Sequence, residues 1–166
     1  MSRKIILASI FATLYSFVIA QPTESEIREF ARTKSEAEIV HENSVMMQDG
    51  FIFYADILAD RLLEFDSQSP NYHYRKGFST LKLLNDYEKA IPHFLVAIKD
   101  TDPNYDAFSH NEKSAPTDAF YHLAKCYHFN EEITKAEEHY NKFLETTKKK
   151  SELIPEAKLN IIQCQV

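Results

Sequence analysis

Between Phe120 and Leu144 the apolar residues keep helical spacing twice over. Phe120, Leu123, Ala124 and Tyr127 stand at i, i+3, i+4 and i+7, which is one face of a helix. Asn130 and Glu131 interrupt the pattern, and it resumes as Ile133, Ala136, Tyr140, Phe143 and Leu144. Each stripe has a small residue at its middle, Ala124 and Ala136, and small side chains let helices approach closely. Two apolar stripes separated by so short a break bury each other most simply by folding back. The spacing therefore predicts an αα-hairpin with its turn near "HFNEE". Only two glycines occur in the chain, which fits helices. It also argues against a phosphate-binding loop, whose backbone must approach its ligand closely, and neither glycine-loop motif is present.

The same shape recurs upstream. Tyr74, Gly77, Phe78 and Leu81 make one stripe, Asn85 is a turn and N-cap residue, and Tyr87, Ala90, Ile91, Phe94, Ala97 and Ile98 make the second, closed by Pro103. A fainter copy precedes it: a stretch ending at Met46, a turn at "QDG", then Ala55, Leu58, Ala59 and Leu62, with a stop at Pro70. Ala55 to Ala90 is 35 residues, Pro70 to Pro103 is 33, and Ala90 to Ala136 is 46. The first two intervals sit at a repeat period of about 34, and the third exceeds it by the polar insert "NYDAFSHNEKSAPT". A last amphipathic segment, "PEAKLNIIQC", begins at Pro155.

These residues resemble the tetratricopeptide repeat, W-x₂-L-G-x₂-Y followed by A-x₃-F and P. Phe120, Leu123, Ala124, Tyr127, Ala136 and Tyr140 match it in order. Residues 74–103 match more loosely, with Tyr74 and Leu81 in the aromatic places and the small residue displaced to Gly77, while residues 39–70 match only in their second half. The whole of about 24–164 is similar to the N-terminal repeat domain of exported Bacteroidetes envelope proteins. Those often continue into a WD40-like propeller and an OmpA-like domain. This chain stops where a propeller would begin, so peptidoglycan binding is not carried over. The resemblance implies an all-α, right-handed array of antiparallel helix hairpins with a C-terminal cap: repeats 35–70, 71–103 and 116–150, and a capping helix 155–164.

The chain start is excluded from that domain. Arg3 and Lys4 precede an uncharged apolar run from Ile5 to Ala20, Val18 and Ala20 are small enough for signal peptidase, and "QPTESE" follows. Residues 1–20 read as a secretory signal peptide and 21–166 as one domain. Removing the leader leaves 17 basic against 25 acidic residues, a net charge of −8. Such a domain repels phosphate backbones, so nucleic acid is not an expected partner. No second apolar span follows the leader, so no integral membrane span is expected after cleavage. The location implied is the periplasm or the outer-membrane surface.

The histidines and cysteines carry no clear chemistry. His122 and His128 are six apart, so they point to different sides of a helix, and no H-E-x-x-H occurs. His122, His128 and His139 read as solvated or packing-edge residues, and His73, His93 and His110 have no partner in the pattern. Cys126 and Cys164 are an even pair that export would allow to bridge. A bridge needs Cα atoms within about 7 Å, while packed helix axes lie about 8–10 Å apart, so two free, partly buried thiols are expected. No catalytic, cofactor or metal residue is assigned. Pro92 lies inside a predicted helix, where its ring opposes the Glu88 carbonyl, and a kink is expected there.

In stacked hairpins the first helix of each unit lines a common groove. Tyr72, Arg75, Ser79 and Lys82 would project into it from the middle repeat, and Asp118, Tyr121, Lys125 and His128 from the third. Tyrosines beside cations suit an acidic peptide segment or a terminal carboxylate. The expected function is a non-catalytic scaffold of the cell envelope that binds a protein or peptide, such as an envelope or secretion component. The alternatives are a structural spacer or anchoring domain of a larger OmpA-like protein, and a metal protein or hydrolase using the His and Cys set. N-terminal sequencing of the mature protein should begin at Gln21, and a mature chain retaining Met1 would exclude the leader.

Overall fold

The computed structural model describes residues 22–165, so the leader assigned to residues 1–20 lies outside it. The fold is all-α. Among the described residues there are eight helices: α1 Glu24–Arg32, α2 Glu36–Gln48, α3 Ile52–Phe65, α4 Pro70–Leu84, α5 Tyr87–Ala97, α6 Asp118–Phe129, α7 Ile133–Thr146 and α8 Ile154–Cys164. The described strands are two residues each, β1 Thr101–Asp102 and β2 Ala115–Pro116, paired in parallel where the insert leaves and rejoins the helices. From α2 onward each helix packs on the next in sequence, α5 on α6 included, and α1 packs on α3.

Local chemistry sets the helix ends. Thr23 and Ser35 accept from the N–H groups of Glu26 and Glu38, whose carboxylates return the bond to the cap backbone, so α1 and α2 both start with a capping box. The first helix was not singled out in the sequence reading, although T-x-x-E at Thr23 signals it. Ser69 caps α4, and Pro70 is not a stop: it takes the first helical position, where a missing N–H costs nothing. Asn85 is a C-cap rather than an N-cap. It ends α4 in the left-handed region at φ 51°, and the neighbouring Asp86 caps α5. Gly50 at φ 80° and Glu131 at φ 62° turn α2 into α3 and α6 into α7. Turns this short oblige the joined helices to run antiparallel. Pro92 faces solvent, and α5 continues through it without a break.

The apolar faces meet in two main clusters. Ala31, Ile39, Val40, Leu58, Leu62 and Tyr72 join α1 to α4. A larger cluster runs from Leu81 and Phe94 through Leu123, Ala124, Ala136, Tyr140 and Phe143 to Ala157 on the last helix. Gly77 lies where α4 meets α5: a Cβ there would come within 3.1 Å of His93 Cβ and 3.2 Å of a Phe94 ring carbon. Its place in the repeat pattern is thus explained by helix contact.

Candidate functional site

The eight residues assigned to the groove do not share one surface. Tyr72, Arg75, Ser79 and Tyr121 are buried, at 1%, 2%, 0% and 2% exposure. Tyr72 packs in the first cluster, and its hydroxyl donates to Glu36 of α2. Ser79 donates to Asp56 Oδ1 of α3 at 2.7 Å. Tyr121 turns toward its own hairpin partner α7, with its ring 5.8 Å from Tyr140 and 5.6 Å from Phe143. Four residues at groove spacing are therefore interior residues. A first helix packed on several neighbours has less free surface than its sequence period suggests.

Arg75 is the centre of a polar network. Its Nε donates to Asn71 Oδ1 at 2.8 Å, Nη1 to Asn43 Oδ1 and Ser44 Oγ at 2.8 Å each, and Nη2 to the Ala107 carbonyl at 2.6 Å. These acceptors are all neutral, so the cation is solvated by dipoles in place of water. The partners are tied in turn. Asn43 Nδ2 donates to the Ala55 carbonyl at 2.7 Å, Asn71 Nδ2 to the Glu112 carbonyl at 2.8 Å, and the Tyr105 hydroxyl to Asn71 Oδ1 at 2.8 Å. Ala107, Glu112 and Tyr105 belong to the insert, which thus lies across α2 and α4 and covers Arg75. Asn43, Ser44 and Asn71 escaped the sequence reading. Their signal was polarity inside an apolar stripe, Asn43 falling four residues after Ile39 on one helix face.

Lys82, Asp118, Lys125 and His128 remain at least partly accessible. Lys82 Nζ lies 5.4 Å from the centre of the Phe78 ring, and Lys125 Nζ lies 3.4 Å from Glu156 of α8. Burial raises the Asp118 carboxyl above its usual range. The Tyr121 hydroxyl, Lys125 and Lys82 hold Glu156 below its usual range, and the same two lysines add to the burial that depresses His122. The Tyr121 hydroxyl is buried without a hydrogen bond of ordinary length.

The histidines also depart from expectation. His122 is a core residue, not a packing-edge one: the rings of Phe78, Tyr121, Phe94 and Tyr74 lie 5.1, 5.3, 5.7 and 6.3 Å from it. It is 9% exposed, and burial depresses its pKa to about 3. His73 and His93 are paired, Nδ1 to Nδ1 at 3.0 Å. His139 is half-buried and stacks on Tyr127 at 5.5 Å. Cys126 and Cys164 are free, and burial pushes the Cys126 thiol up to about 12, far from a nucleophile's range. Among the described residues no three His, Cys, Asp or Glu side chains are grouped to hold a metal, and no helix is long and apolar enough to cross a membrane. No family model matches the chain, and no curated protein matches it in sequence.

Two outcomes follow from this geometry. Arg75→Met leaves the buried Asn43 Oδ1 without a donor and takes one of the bonds from Asn71 Oδ1, Ser44 Oγ and the Ala107 carbonyl. A stranded buried acceptor costs about 1–3 kcal/mol, so urea unfolding should show a loss of at least about 1 kcal/mol. Lys82→Met should stay within about 0.5 kcal/mol. An Arg75→Met protein as stable as wild type would remove the network from the fold's foundations.

His122 stays neutral in the folded chain, whereas the unfolded chain takes up its proton below about pH 6.5. The stability it confers is complete above that pH. It falls by up to about 1.4 kcal/mol per pH unit on acidification, until the folded pKa of about 3 is reached. His93 and His139, also lowered by burial, act with the same sign. Melting temperature should therefore drop from pH 6.5 to 4.5, and His122→Phe should flatten part of that slope. An unchanged slope would contradict a neutral buried imidazole.

Proposed function

We propose that this chain is an exported, non-catalytic scaffold of the tetratricopeptide type, and that it binds an acidic segment of a partner protein across α4, α6 and α8. The fold class supports it: consecutive helices pair through short turns, and the helix pairs α2–α3, α4–α5 and α6–α7 sit where the repeat pattern recurs. Export rests on the leader-like residues 1–20.

The observation that carries the reading is the convergence of two cations. Lys82 Nζ on α4 lies 5.4 Å from the centre of the Phe78 ring, and that ring packs 5.1 Å from His122 of α6, the helix that carries Lys125, so the two cations lie near one region. Lys125 pairs with Glu156 while the two side chains stay 33% and 49% exposed. An ion pair so exposed is worth only about 0–1 kcal/mol, and a partner carboxylate can replace Glu156 at little cost. Asp118 at the start of α6 and His128 near its end mark the extent of the surface. Tyr72, Arg75, Ser79 and Tyr121 support the fold beneath it and are not contacts.

The test is affinity capture from an envelope extract, followed by a titration of the recovered partner at low and high salt. Lys82→Glu with Lys125→Glu should weaken binding at least tenfold and remove most of its salt dependence, because screening shortens from about 10 Å at 0.1 M to about 3 Å at 1 M. The melting temperature should barely move. A partner that binds the double variant as tightly as wild type docks elsewhere.

A further inference from the structure

The insert meets α2 and α4 as a bound peptide would. Its two ends lie side by side: Thr101 pairs with Ala115, and the Ala115 N–H donates to the Asp100 carbonyl at 2.9 Å. The 13 residues from Asp102 to Ser114 thus form a loop with a closed neck, the shape of an Ω-loop. None of them joins a hydrophobic cluster, and the insert's one core residue is Ala115 at the neck. Beyond the neck the helices take hold of the insert mainly by its backbone. The Ala107 carbonyl accepts from Arg75, the Glu112 carbonyl from Asn71 Nδ2, and the Lys113 carbonyl from the Asn71 N–H at 3.3 Å. Three side chains add contacts: the Phe108 ring lies 5.7 Å from that of His41, Lys113 Nζ lies 3.8 Å from Glu36, and Tyr105 contacts α4. Tyr105 reaches Asn71 Oδ1 through its hydroxyl and sets its ring edge-on to Tyr74 at 6.1 Å.

Donors that take main-chain carbonyls do not depend on whose chain supplies them. They are also costly to bury unpaired, so when the loop leaves they need either water or another backbone. We propose that the face shared by α2 and α4 is a binding site for a short peptide folded in turns, filled in cis by residues 102–114. The loop opens at its neck to admit a segment of another chain with a tyrosine two residues ahead of the carbonyl that Arg75 takes. This site is separate from the Lys82–Lys125 surface, and its test needs no captured partner.

The experiment uses a synthetic peptide of residues 102–114 and a variant in which those residues are replaced by a Gly-Gly-Ser link across the neck. The variant should melt cooperatively and bind the labelled peptide in the micromolar range, with the intact chain binding at least tenfold more weakly. The Tyr105→Phe peptide, which lacks the donor to Asn71, should bind about threefold to tenfold more weakly than the unaltered one. In the intact chain, limited chymotrypsin should cut at Tyr105 or Phe108 before any helix and leave a folded, nicked protein. A variant that loses its cooperative melt would make the loop part of the folding unit and overturn the proposal. So would a folded variant that takes no peptide, an intact chain that takes it equally well, or cutting in the helices first.

Discussion

A guanidinium does not give up its proton in a protein, so a buried arginine must be solvated by the chain itself. Arg75 imposes that condition on three separate segments. Asn43 and Ser44 must be presented by α2, Asn71 must stand one turn earlier on α4, and the Ala107 carbonyl must arrive from the insert. None of these acceptors is charged, so the cation is held by geometry alone. Local preference would not place a polar 14-residue insert, with two Asn and two Ser, against two helices. The need to satisfy one side chain does.

The network also accounts for where a partner can and cannot meet this molecule. Across α2 and α4 the insert already covers the helices, and beyond it α6 and α8 carry Lys125, Glu156 and His128 at the surface. Two chemically different faces result. One presents the Arg75 guanidinium and the Asn71 amide as donors to a backbone, and the other presents an exposed ion pair. His122, packed deep among aromatic rings beneath the second face, stays neutral near neutral pH and adds no charge there.

Helix existence was legible because it depends on period. The stripes through Tyr74–Leu81, Tyr87–Ile98, Phe120–Tyr127 and Ile133–Leu144 lie within α4, α5, α6 and α7, apart from Ile98, the residue that caps α5. Surface was less legible, because exposure depends on how many neighbours a helix has. Tyr72 and Ser79 share a face with Arg75 by spacing, yet they turn to α2 and α3 while Arg75 turns to α2 and the insert. His122 looked like an edge residue until Phe78 and Phe94 closed around it from other helices. The insert is polar in composition, but what the helices chiefly bind is its backbone, which composition does not describe.

The distances in sequence spanned by the Arg75 network carry a consequence for kinetics. The main helix contacts, apart from α1 on α3, join neighbours in the chain and close short loops, which favours early formation. Arg75 instead reaches 32 residues back to Asn43 and 32 forward to Ala107, and Ser44 meets Ala107 across 63. Closing such loops carries a larger entropic cost, so the network is expected to complete after the helix pairs have formed. Interactions that form that late govern escape from the native state rather than arrival at it. Loss of the Arg75 side chain should then show in the lifetime of the folded chain more than in the speed with which it is reached.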